Sequence, residues 1–340
     1  MAQTTAARRV APVVAGRSRL LWRGELITMV LATWFMIGAF LDAWAHTNLA
    51  VLETFFTPWH GVLYSGFAAT AAWIAWQAVR AQQAGHRGWD AVPLGYGWGV
   101  IGVAVFAAGA IGGMLWHTIF GIEQDVEAAV SPTHQILLVG TLLVLSNPFR
   151  AAWTSDPLDH SPRYRAFLPA LLSLTYVSTF VALIVVFLTT FFTAAPAGDF
   201  SDGIGSILVT TVLLVAPVLL MARRWRLPLG AVTTSYTVMA TLLGAVDGWS
   251  RQWLPVAVAA AGLATDLLLR RLAPSVQRPA VFWAAGFVAP LLLWAPWFIA
   301  TALTEGITWS VDLWSGTLAW TALLGLALSL LMIPPRPAER

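Results

Sequence analysis

The chain has 340 residues, is 58% hydrophobic and only 10% charged, where a soluble domain carries roughly 25% charged residues. Its formal charge of +3 makes no case for a nucleic-acid partner. The absence of cysteine excludes disulfides, thiolate metal sites, iron–sulfur clusters and cysteine nucleophiles.

Apolar runs of about 20 residues recur along the whole length, which implies an all-α, polytopic integral membrane protein with the lipid bilayer as its main partner. Residues 1–24 form a basic segment with Arg8, Arg9, Arg17, Arg19 and Arg23. The apolar run behind it is long and lacks a convincing cleavage site, so it reads as a retained first span rather than a removed signal. About ten spans follow in order, near 25–46, 58–80, 94–119, 132–148, 166–193, 204–222, 228–247, 253–270, 279–303 and 312–333. They divide into a four-helix, histidine-bearing half (25–148, hairpins 25–80 and 94–148), a linker (149–165), a six-helix remainder (166–333) and a tail (334–340).

All the basic residues are arginine, and they segregate. The N-terminus, the tail and the loops at 80–93, 149–165, 223–227 and 270–278 carry them on one side, while Arg251 alone falls on the other. The positive-inside rule makes the arginine-rich side cytoplasmic, with both termini inside, in a bacterial inner membrane. The opposite face holds most of the acidic residues and four of the six histidines.

Those four histidines lie in a repeated pattern. The first copy runs Asp42-Ala43-Trp44-Ala45-His46, a loop with Glu53, then Thr57-Pro58-Trp59-His60. The second runs Trp116-His117, a loop with Glu123, Asp125 and Glu127, then Ser131-Pro132-Thr133-His134. Both hairpins enter and leave the membrane in the same sense, which makes a parallel repeat related by an axis along the membrane normal. Thr57 and Ser131 are N-cap residues, and Pro58 and Pro132 occupy the favoured first helical position. His60 and His134 then sit in the first turns of their helices, at the depth where His46 and His117 end theirs. Asp42 precedes His46 by one helical turn and shares its face. Its counterpart in the second copy is Gly113, so any site here is asymmetric.

Ionisable groups within spans are rare and usually functional. Asp42, His46, His60, His117 and His134 are therefore the candidate metal ligands, and Glu53, Glu123, Asp125 and Glu127 are candidates for further ligation or for proton transfer. The plain alternative is a polar network within an interfacial tryptophan belt, without metal. Imidazole with carboxylate suits copper, zinc or iron(II), with copper preferred. Haem is the competitor, but stacked haems need histidines on both sides of the bilayer.

The order Asp42, His46, His60 resembles the Asp-x3-His-x12-His copper site in the membrane C subunit of particulate methane and ammonia monooxygenases, with the second gap one residue longer here. That resemblance covers about twenty residues and implies that these three residues bind copper within the bilayer, near a site of oxidation. The fuller signatures, WAH…ETFFTPWHGVLYSG and LWHTIFGIEQDVEAAVSPTHQILLVG, resemble a group of bacterial polytopic membrane proteins with paired TPWH/SPTH hairpins, which carries no activity over.

Together these features imply a membrane metalloprotein, with copper-dependent oxidation of a small or lipophilic substrate as the preferred chemistry. The rivals are a metal-handling transporter or accessory subunit, acting with a membrane-protein partner or as a homo-oligomer, and a haem-bearing electron-transfer subunit. Beyond the hairpins, Asp247 and Arg251 are spaced for an exposed ion pair, or for a lid over the histidines. Asp266 and Arg270 are spaced for a local pair.

Overall fold

The computed structural model describes residues 13–14, 17–49, 55–123, 127, 130–188 and 200–335. Glu53 and Asp125 lie outside them, as do most of the first 16 residues and the last five. The described chain is helical, apart from a two-residue strand pair, Val13–Val14 with Arg17–Ser18. In order the helices are α1 (Trp22–Asn48), α2 (Pro58–Gln83), α3 (Gly97–Phe120), α4 (Pro132–Leu145), α5 (Asn147–Ser155), α6 (Tyr164–Leu188), α7 (Phe200–Arg224), α8 (Ala231–Val246), α9 (Leu254–Leu272), α10 (Pro279–Thr304) and α11 (Val311–Met332).

Seven of these are long and apolar enough to cross a membrane, and an eighth span arises if the bent pair α4–α5 is counted as one. The bend is 42°, at Ser146 with Pro148 behind it, so the span expected at 132–148 turns into a second helix inside the expected linker. Two other expected spans fold as helices that fall short on that measure. α8 has only 16 residues, and α9 carries Asp266, Arg270 and Arg271.

Helices α1 and α2 pack along each other, as do α3 and α4. Small residues permit the approach, as in other helix pairs without a hydrophobic driving force between them. A Cβ on Gly38 would lie 2.5 Å from the Leu63 Cα, and one on Gly66 would lie 2.7 Å from the Phe35 Cα. In the second pair, a Cβ on Gly109 would lie 3.0 Å from the Leu137 nitrogen, and one on Gly140 would lie 2.5 Å from the Phe106 nitrogen. The pairs meet at an aromatic contact: Phe106 stands edge-on to Phe35 at 5.2 Å between ring centres and stacks on Phe67 at 4.1 Å.

α8 begins inside the protein, and its first amides need an acceptor that bilayer cannot supply. Asp266 of α9 provides it. Its carboxylate accepts from the backbone N–H groups of Gly230, Val232 and Thr233 at 3.0–3.1 Å and from the Thr233 hydroxyl at 2.7 Å. That replaces the expected local pair with Arg270: four donors converging on the buried Asp266 carboxylate outcompete one exposed cation for it.

Candidate metal centre

The ends of the first four helices meet around one cavity. In α1, Asp42 and His46 lie one turn apart on the buried face. At the start of α2, the Thr57 side chain accepts from the His60 N–H at 3.2 Å, as its N-cap position requires. The second hairpin repeats this, with the Ser131 side chain accepting from the His134 N–H at 3.4 Å. α3 ends one turn past His117, where Gly121 adopts a φ of +90° that glycine tolerates.

The imidazoles form a row. Ring centres are 6.2 Å apart for His46 and His60, 6.4 Å for His60 and His117, and 5.9 Å for His117 and His134. All four, with Asp42, line a cavity of about 90 Å³. Within the row the first hairpin is the tighter group. Asp42, His46 and His60 each offer a ligand atom, and these atoms all lie within 4.8 Å of one another. His60 Nε2 is 3.3 Å from Asp42 Oδ1, and His46 Nε2 is 3.9 Å from Asp42 Oδ2.

His60 has a fixed tautomer. Its Nδ1 lies 2.6 Å from the Phe55 carbonyl, which can only accept, so Nδ1 carries the proton. Phe55 also stacks on the ring at 4.8 Å. In the neutral imidazole the Nε2 lone pair therefore faces a carboxylate oxygen. Two acceptors at that separation need a proton between them, on the ring or on the carboxyl, or a metal ion. His46 is buried beside them, with the Glu123 backbone as a polar neighbour.

On the opposite wall, Glu123 folds back from its loop beneath the second pair of histidines. Its Oε2 lies 2.8 Å from His117 Nδ1 and its Oε1 lies 3.9 Å from His134 Nδ1, which also meets the Ser131 hydroxyl at 2.7 Å. The loop thus brings a carboxylate to the copy whose helix has Gly113 in place of aspartate. Glu127 is exposed, and its backbone carbonyl accepts from the Ser131 N–H.

The remaining wall is apolar and reaches beyond the histidine half. Phe106 lies among the deeper lining residues, and Phe180 and Leu183 of α6 close one side. Tyr64 lines it too; it is absent from the sequence candidates, although its place one turn after His60 is the signal that marks it. The 247–253 segment does not line the cavity. Arg251 instead makes a two-point contact with Glu305 at 2.8 and 3.0 Å, and Asn48 ties the end of α1 to the Val246 carbonyl.

No family model, no curated protein and no solved structure matches this chain.

Proposed function

We propose that this membrane protein is a metalloprotein whose centre is held by Asp42, His46 and His60. The observation that carries this reading is the His60–Asp42 approach: a tautomer-locked imidazole aims a lone pair at the Asp42 carboxylate, with His46 beside them. Three protein ligands leave coordination positions open toward the cavity, as catalysis requires and a closed structural site does not. His117, His134 and Glu123 on the facing wall supply further ligation or proton transfer to what binds there.

Copper is the proposed metal, ahead of zinc and iron(II). The donor set is nitrogen and oxygen without sulfur, and it has the order that resembles the monooxygenase copper site. The proposed chemistry is oxidation of a small lipophilic molecule, since the rest of the cavity wall is apolar. A volume of about 90 Å³ has room for a few waters or a small substrate and favours a bare ion over a porphyrin. The packed rings of Phe35, Phe67 and Phe106 below the site favour a fixed centre over a transport path.

The proposed topology keeps about ten membrane-crossing helices, with both termini on the arginine-rich, cytoplasmic side and the histidines at the outer end. The two hairpins are proposed as a parallel repeat. Gly38, Phe35 and His46 correspond to Gly109, Phe106 and His117, and Gly66 and His60 correspond to Gly140 and His134.

Elemental analysis of purified wild type beside His46→Ala and His134→Ala tests the reading. The expected result is metal in wild type, its loss in His46→Ala and its retention in His134→Ala. Wild-type protein that holds no metal, even after reloading with Cu²⁺, overturns it.

A further inference from the structure

At the arginine-rich end several of the described arginines hold the structure together. Arg19 pairs with Asp156 at 3.0 Å, and Arg224 donates to the Asp156 carbonyl. Arg278 donates to the Leu272 carbonyl at 2.9 Å, closing the end of α9. Arg80, Arg150 and Arg165 lie over the rings of Trp76, Trp98 and Trp22, as interfacial cations do.

Arg226 and Arg270 differ from these. Neither side chain makes a hydrogen bond or ion pair among the described residues, and both residues line a single cavity of about 350 Å³ between the ends of α7 and α9. Arg270 is free because Asp266, one turn before it, spends its carboxylate on the start of α8. The other walls are apolar, with Leu227, Leu229 and Leu269 among them. The pocket therefore joins two exposed arginines to an aliphatic surface at the end of the spans. That is the chemistry of a phosphate ester with an acyl chain attached: each planar guanidinium can donate a pair of parallel hydrogen bonds to phosphate oxygens, and the leucines cover the first methylenes.

We propose that this cavity binds the headgroup of an anionic phospholipid. Arg226 and Arg270 hold the phosphodiester, and the leucine wall holds the glycerol end of the chains. The site lies at the other end of the molecule from the histidine cavity and does not depend on what that cavity holds.

The test uses the full-length protein in detergent, titrated separately with dioctanoyl phosphatidylglycerol, dioctanoyl phosphatidylcholine and inorganic phosphate, with bound ligand read by native mass spectrometry. Wild type should prefer phosphatidylglycerol over phosphatidylcholine by about tenfold or more. Arg226→Gln with Arg270→Gln should weaken phosphatidylglycerol binding about thirtyfold. Arg223→Gln with Arg271→Gln makes the same change of charge outside the cavity and should weaken it by less than about threefold. Equal losses in the two double variants would reduce the effect to diffuse surface charge and overturn the site. Inorganic phosphate bound as tightly as phosphatidylglycerol would assign the arginines to a soluble anion and overturn the lipid. The wild-type preference alone decides the matter if the glutamine pair does not fold: equal binding of the two lipids overturns the proposal.

Discussion

His60 Nε2 faces Asp42 Oδ1 across 3.3 Å while its other ring nitrogen donates to the Phe55 carbonyl at 2.6 Å. The backbone of the connecting segment thus sets which nitrogen of His60 is available, and the last turn but one of α1 sets what that nitrogen meets. The same two features make the site sensitive to protons, since a ligand nitrogen must be unprotonated to bind metal. Metal uptake by the purified protein should release protons, which an unbuffered titration with Cu²⁺ measures directly.

The hairpins depend on glycine at their contacts. Gly140→Val would drive a side chain into the Phe106 backbone, 2.5 Å from the added Cβ. It should destabilise the protein by about 3 kcal/mol, the upper end for overpacking between rigid elements. Gly316→Ala, with open space around it in α11, should be neutral or stabilising by up to about 1 kcal/mol. Thermal unfolding in detergent compares the two. Equal effects would mean that the close helix approach carries no structural weight.

Asp266→Ala leaves the first amides of α8 and the Thr233 hydroxyl without their acceptor in a buried place. A loss of about 3 kcal/mol is expected. Asp266→Asn keeps one acceptor oxygen and should lose less. A change within about 0.5 kcal/mol for Asp266→Ala, measured by chemical denaturation in detergent, would show that water already serves those groups.

The Arg251–Glu305 contact joins the start of α9 to the end of α10 and should respond to acid. The hydrogen bonds from Arg251 hold the Glu305 carboxyl below its ordinary value. A depressed folded-state pKa contributes stability above the unfolded value, about 4.3, and that contribution is lost as pH falls through the lower folded value. The pair is exposed, so the effect is at most about 1 kcal/mol. Wild type minus Glu305→Gln should be constant from pH 8 to pH 5 and shrink below about pH 4. A difference that instead shrinks above pH 5 would place the responsible group elsewhere.

What could be read from the sequence is what depends on near neighbours in the chain. Thr57 and Ser131 cap their helices as expected because a cap is decided within three residues. Asp42 meets His46 because one turn separates them. Contacts set by how helices pack were hidden. Nothing local links Glu123 to His117 and His134, since a loop can return its side chain anywhere, and nothing near Phe180 or Leu183 marks them as walls of a cavity built by other helices. The pairs expected one turn apart, Asp247 with Arg251 and Asp266 with Arg270, gave way to partners 54 residues away for Arg251 and more than 30 away for Asp266. Glu305 gives both carboxylate oxygens to Arg251 while Asp247 accepts from the Ser250 hydroxyl, and Asp266 meets four donors at the start of α8.

Copper titration of metal-free protein tests the central claim most directly, with bound metal counted per chain in wild type, Asp42→Ala, His60→Ala and Glu127→Gln. A centre at Asp42, His46 and His60 requires one tightly bound ion in wild type and in Glu127→Gln, whose parent carboxylate is exposed. It requires affinity reduced by at least about a hundredfold in the other two. Equal affinity in wild type and Asp42→Ala, or no ion bound by wild type, would contradict it and leave a proton held between His60 and Asp42 as the content of the site.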